Sequence, residues 1–293
     1  MWQKILDKAA AQIEPQTLYV VATPIGNLAD ITLRALAVLQ RADLVCAEDT
    51  RVSQQLLSAY GIRAKLVSVR GHNERQMTDT ITAALAAGQV VAQISDAGTP
   101  AVCDPGARLA AGVRAAGFKV VPVAGASAVM AALSVAGVTQ SDFYFAGFLP
   151  PKAGERTQWF ERWREVPYAV AMFETPHRIE AALTQMAEIL PNRHLVLARE
   201  ISKTFETFIS GSVADVLAAV RTNANQTRGE MVLVLHPPEA AAANELNDQA
   251  RHIMSLLAAE LPPKKAAALA AEISGANKKA LYEWAVAQKQ EGA

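Results

Sequence analysis

The sequence predicts an α/β protein: two α/β domains followed by a small C-terminal helical segment. Three observations lead there. From Thr17 onward short β-branched runs alternate with segments of helical period, the pattern of βαβ units around a mainly parallel sheet. Beyond about residue 124 the strands become aromatic-rich, which marks a second, mixed sheet. The pair Pro237 and Pro238, with the alanine run at 240–243, then reads as a linker. The domain ranges expected are 17–124, 125–237 and, for the helical tail, 245–290.

In the first domain strands are expected at 18–23, 44–48, 65–69, 90–95 and 119–123, with helices at 33–41, 53–60, 78–87 and 107–116. Gly61, Gly88 and Gly117 stand just past three of these helices, where a residue that takes a left-handed conformation closes the last turn. Asp30 is expected to cap a helix beginning at Ile31. A helix at 128–136 leads to second-domain strands at 143–148, 169–173, 194–198, 206–210 and 231–235, covered by helices at 156–164 and 178–190. In the tail, Pro262 and Pro263 before an apolar run, Gly275, and a further run at 278–287 predict two short helices across a glycine turn. Such a pair is either a helix-turn-helix or a plain helical hairpin.

At 293 residues and 51% hydrophobic content the chain can bury a core in each domain. Its 28 basic residues balance 28 acidic ones, which argues against seizing long nucleic acids non-specifically, so any RNA contact must be local. The most basic stretch runs from Arg51 to Arg75 through Arg63, Lys65 and Arg70. A solvated face and a phosphate-binding patch explain it equally well. Cys46 and Cys103 lie in no metal-ligand or disulfide pattern and are expected to be buried in a reducing compartment, the cytoplasm. No apolar run approaches the ~20 residues that span a membrane, and residues 1–16 match no targeting segment.

Ligands of open parallel sheets lie beyond the carboxyl ends of the strands. The turns expected there are PIGNL at 24–28, EDTR at 48–51, GHNE at 71–74 and SDAGTP at 95–100. Each alone is an ordinary turn or cap; four polar turns on one edge mark a site. No G-x-G-x-x-G, P-loop, nucleophile elbow or zinc helix occurs, and the five scattered histidines make a metal cage implausible. The SDAGTP turn suits a small zwitterion, with Gly98 for close approach, Asp96 for a cation and the Thr99 hydroxyl.

These turns, together with AEDTR at 47–51, DPG at 104–106, GFLP at 147–150, ETPHR at 174–178, ARE at 198–200 with Lys203, and GEMVL at 229–233, resemble the tetrapyrrole-methylase superfamily in consistent order from 17 to 235. Within it the EDTR, HNE and PHR blocks are most similar to the bacterial branch that methylates the ribose 2′-hydroxyl of a cytidine in the decoding centre of 16S ribosomal RNA. The resemblance implies S-adenosylmethionine as cofactor, a cofactor cleft between the two domains, 16S ribosomal RNA of the small subunit as partner, and a homodimer. It places Pro24, Gly26, Asp96, Gly98, Thr99, Ser127, Ala128, Phe173 and Met231 at the cofactor. The chain departs from the family where Ala124 and Ala126 stand in place of the usual prolines around Gly125. Tetrapyrrole or diphthine-type methylation, and a non-catalytic RNA-binding assembly protein, are the alternatives.

Methyl transfer to a hydroxyl needs an aligned acceptor and a group to take its proton. The candidates at the strand ends are Asp49, His72, Glu200 and Lys203. Arg51, Arg63, Lys65, Arg70 and Arg75 are expected as the RNA-facing lip.

Overall fold

A helix the sequence pattern does not announce, α1 (Trp2–Ala10), precedes the first strand in the computed structural model, which describes residues 1–238, 246 and 248–291. The alternation then runs as expected: β1 (Thr17–Val21), α2 (Leu33–Arg41), β2 (Leu44–Ala47), α3 (Thr50–Ala59), β3 (Leu66–Ser68), α4 (Glu74–Ala86), β4 (Val90–Gln93), α5 (Ala107–Ala115) and β5 (Lys119–Val123). The strands form one parallel sheet in the order β3-β2-β4-β1-β5. Alternate side chains serve opposite faces. Tyr19, Val21, Val45 and Ala92 pack on one side with Leu39 of α2 and Leu57 of α3. Leu18, Cys46 and Val91 pack on the other with Ile81 of α4 and Leu109 of α5. Burial of both faces is why these strands read as continuous apolar runs, and the parallel order directs all the carboxyl ends to one edge.

From β5 the chain enters α6 (Ala128–Val135), then β6 (Phe143–Phe148), α7 (Ala153–Arg162), β7 (Ala169–Glu174), α8 (Ile179–Ile189), β8 (His194–Arg199), β9 (Thr207–Ser212), α9 (Val213–Thr222) and β10 (Met231–Leu235). The second sheet is mixed, in the order β6-β7-β10-β8-β9 with β6 and β7 parallel and the other pairs antiparallel. Ala132 and Ala136, at the end of α6, pack on Val196, Ala198, Val232 and Val234 of this sheet. One helix therefore ties the edge of the first sheet to a face of the second. Both sheets lie in one compact unit, residues 1–163 with 168–236.

Residues 164–167 and those from 237 onward form a second compact unit. Among the described residues it holds three helices rather than two: α10 (Asp248–Glu260), α11 (Pro263–Ser274) and α12 (Lys278–Glu291). They share a core of Leu246, Met254, Leu281 and small alanines. Gly275 closes α11 in the left-handed conformation, as the sequence pattern predicts. The linker at 240–243 and residue 245 fall outside the described residues.

Several boundaries differ for local reasons. Asp30 is not a cap: it ends a short 3-10 turn, and Thr32 caps α2 by accepting from the Ala35 amide at 3.1 Å. Helix α3 begins three residues before the expected start because Asp49 caps it, and α4 begins four residues early. Helix α9 is a further addition, although Ser212 and Asp215 form a reciprocal capping box visible in the sequence. Cys46 is buried as expected, its thiol pushed up to about 12 by burial, whereas Cys103 is exposed.

Candidate active site

A cavity of about 320 Å³ opens at the carboxyl ends of β4, β1 and β5, closed from the other side by β7 and β10. Ile25, Gly98, Thr99, Asp104, Ser127 and Ala128 supply its first wall. Phe148, Phe173, Ile201, Glu230, Met231 and Val232 supply the second. The turns of the first wall hold one another. Thr23 and Gly98 exchange backbone hydrogen bonds at 2.8 and 3.0 Å, the Thr99 hydroxyl donates to the Ala126 carbonyl at 3.1 Å, and Ser127 caps α6. Alanine at 126 thus leaves the turn's anchor intact, because the carbonyl and not the side chain is used. In the second wall Phe173 is pinned edge-on by Phe145 and tilted against Phe148, with ring centroids at 5.1 and 5.3 Å.

Of the residues the resemblance implies for the cofactor, Gly98, Thr99, Ser127, Ala128, Phe173 and Met231 line this cavity. Pro24 is buried next to it, and Asp96 stays outside the wall, accepting the Asp49 amide at 3.1 Å. Gly26 is not among the lining residues and has Lys203 directly against it. Its φ is +148°, and a side-chain carbon there would overlap the Lys203 chain that crosses it. Lys203 in turn donates to Glu200 at 2.9 Å and to Glu230 at 3.2 Å, and Ser202 beside it donates to Asp30. The β8–β9 turn is thereby fastened over the β1–α2 turn.

The charged groups separate into two kinds. Burial pushes the Glu200 carboxyl up, but the Lys203 ammonium and the Glu230 amide outweigh it and hold it below its ordinary range. Burial likewise disfavours charge on Lys203, but its two carboxylates raise it overall, so it stays a firm ammonium. Asp49 is held well below the carboxylate range by Arg51, which it meets at 2.7 Å while capping α3. Asp104 and Glu48 shift the other way. Burial raises Asp104 against a hydrogen bond from Ser95, with the Asp96 charge adding to the rise. Burial also raises Glu48, reinforced by Asp104 and Asp96 and opposed by Arg70. Asp104, in the cavity wall, is a residue that sequence reasoning misses. The DPG run at 104–106 is its only signal, since nothing in a sequence states that a loop aspartate will be half-buried beside two other carboxylates.

Arg51, Arg70, His72 and Arg75 all lie exposed on the open β2–β3 end of the same edge. Arg70 reaches the Glu48 carbonyl at 3.4 Å. Arg63 and Lys65 precede β3 and so stand at the amino end of the strand, opposite the site. Among the described residues no group of three or more His, Cys, Asp or Glu is placed to hold a metal ion, and no helix is long and apolar enough to cross a membrane.

Residues 17–217 match the family model described as Tetrapyrrole (Corrin/Porphyrin) Methylases, and residues 244–289 that of the RsmI C-terminal HTH domain. The chain is 65% identical to a protein of Neisseria meningitidis serogroup A named Ribosomal RNA small subunit methyltransferase I, over 99% of each chain. It is 45% identical to the protein of that name from Escherichia coli O157:H7, over 93% of this chain and 95% of the other. Among solved structures it resembles uroporphyrin-III-C-methyltransferase from Thermus thermophilus, with TM-score 0.53, 22% identity and coverage of 75% of this chain and 94% of that one. At that identity the likeness speaks for the fold alone. On the family model and the near full-length relatives, the chain belongs to the tetrapyrrole (corrin/porphyrin) methylase family.

Proposed function

We propose that this chain, an S-adenosylmethionine-dependent methyltransferase by family, methylates the ribose 2′-hydroxyl of a cytidine in the decoding centre of 16S ribosomal RNA, on the small subunit in the cytoplasm and as a homodimer. The observation that carries the reading is the layout of one sheet edge: a walled, mostly apolar cavity at β4, β1 and β5 beside an exposed, cation-fringed end at β2 and β3. Relatives matching nearly the whole chain carry a name that supplies the substrate class.

The cavity suits the cofactor. Its 320 Å³ falls at the lower end of the roughly 300–1,000 Å³ of small-molecule sites. Asp104 and Glu230 in its wall oppose positive charge, and Phe173 offers a ring face. Gly98, Thr99, Ser127, Ala128, Phe173 and Met231 would hold it. When bound, S-adenosylmethionine supplies an electrophilic methyl on a positively charged sulfur. The chain's own tasks are to align the acceptor oxygen and take its proton. Asp104 meets the second task best: it lies in the wall, and its raised affinity for protons makes it a better base than an ordinary aspartate. Glu48 stands next in line toward the open end. Glu200 and Lys203, locked together as ions, fasten the rim, while Asp49 and Arg51 shape the α3 turn and His72 faces the acceptor side.

The test is incubation with cofactor carrying a labelled methyl and small subunits from cells lacking the gene, followed by mass spectrometry of the RNA. One new 2′-O-methylcytidine in the decoding centre is expected. Label appearing instead on a tetrapyrrole or a modified histidine, or no transfer to RNA, sinks the proposal.

A further inference from the structure

We propose that the open groove between the first turns of α11 and α12 is a second RNA-binding surface, which holds phosphates of the RNA backbone through the three lysines that line it and the adjoining Lys265. It rests on the RNA reading above but concerns a separate unit of the chain. Lys264 and Lys265 stand in the first turn of α11, Lys278 and Lys279 in the first turn of α12, and all four are exposed. Lys264, Lys278 and Lys279 line the groove with Asn277 and Tyr282.

The placement works against folding. A helix begins with the positive end of its dipole, where acidic side chains stabilise and lysines do the opposite. Neither helix has an acidic residue in its first turn. A neighbouring anion, Glu283, meets Lys279 at 3.8 Å in an exposed pair, which is worth little. Lys264, Lys265 and Lys278 make no ion pair among the described residues. The Asn277 side chain already accepts from the Lys279 and Ala280 amides, so the ammonium groups are what the groove presents. Four like charges gathered where they destabilise the fold are relieved by a polyanion. The exposed Tyr282 ring adds a surface on which an unpaired base can stack, which an acidic protein partner would not use.

The test compares the full-length chain with a variant carrying Lys264→Gln, Lys265→Gln, Lys278→Gln and Lys279→Gln. Affinity for small-subunit RNA is measured by filter binding across a salt series, cofactor affinity by calorimetry, and folding by thermal melting. Cofactor affinity should be unchanged and the melting temperature equal or higher, because cations leave the positive helix ends. RNA affinity at low salt should fall about tenfold or more, and the salt slope should flatten by about 0.7–0.9 for each phosphate no longer neutralised. Tyr282→Ala should weaken binding with no change in slope. Wild-type affinity and slope in the lysine variant, with the parent chain still methylating RNA, would overturn this inference alone. Absence of RNA methylation by the parent overturns the functional reading and this inference with it. Loss of binding to duplex DNA but not to RNA would also overturn it.

Discussion

The two ends of the first sheet's carboxyl edge are made from the same kind of βα turn, yet they present opposite surfaces. At β4, β1 and β5 the turns bend onto one another, with Gly98 bonded to Thr23 and Thr99 to the Ala126 carbonyl, and their polar backbone is used up in building a wall. At β2 and β3 the turns meet through the Glu48 carbonyl, which accepts from Ser68 and Arg70, and their basic side chains stay in solvent, the Arg51 side chain 85% exposed. Glu48, Asp96 and Asp104 occupy the seam between the two, close enough that the Asp96 charge raises the proton affinity of Asp104 and both raise that of Glu48. A sheet with equivalent strand ends thus carries a walled cavity on one part of its edge and an exposed, basic stretch on the other, with its carboxylates at the join.

The sharpest way to break this comparison is at the seam. Asp104→Asn should lower the transfer rate by about 10²–10⁴, the usual contribution of a positioned base, with a smaller loss of cofactor affinity from the missing counter-charge. It should also raise the melting temperature. The Asp104 carboxyl is raised above its ordinary 3.8 in the fold, so its contribution to stability is present below that pH and is lost as pH climbs through the raised value. Near neutrality an asparagine there removes the penalty. A variant that keeps its activity would take Asp104 out of the chemistry.

The closed end is tested at Gly26. Alanine there would be strained at a φ of +148° and would push Lys203 off the turn, which should cost about 1–3 kcal/mol, read as a ten- to hundredfold loss of cofactor affinity or a lower melting temperature. Adding Lys203→Ala should recover the part due to overlap. No recovery would mean that the lysine does not fasten the rim.

A smaller effect should distinguish the two ends of β3. Charge reversal of Arg70 and Arg75 should raise the apparent Michaelis constant for RNA about tenfold at low salt and flatten its salt dependence. The same change at Arg63 and Lys65, on the opposite edge, should do neither. Equal effects from the two pairs would erase the proposed division between the edges.

The smallest effect is expected from Asp96→Asn. Its charge raises both Asp104 and Glu48, so the acid limb of the pH–rate profile should move to lower pH, with the plateau rate nearly kept. Cofactor affinity should change less than a direct ligand contact would require, because Asp96 bonds the Asp49 amide and does not line the cavity. A tenfold or greater loss of cofactor affinity without a pH shift would return Asp96 to the cofactor site.

Most of the frame is legible in the order of the residues. Apolar runs of strand length place β2 and β10 to within a residue, because a strand buried on both faces has no other way to be written, and β5 and β6, partly exposed at the sheet edges, are placed as closely by their β-branched and aromatic residues. Caps are harder to read. Asp30, Thr32 and Asp49 are all good capping residues, and only the path of the chain decided that Thr32 and Asp49 serve while Asp30 takes a hydrogen bond from Ser202 instead. The polar turns after the strands announce a site on one edge, since a parallel sheet sends every strand's carboxyl end the same way. Which members of those turns meet was settled by tertiary structure alone. Lys203 crosses Gly26 from far along the chain, Asp104 is raised by burial and by Asp96 from the same loop, and Lys65 is turned away from Arg70 by the three residues of β3. Local pattern records the period and face of each element. Proton affinity and side-chain pairing depend on distances between segments remote in sequence, and those exist only once the two sheets have packed.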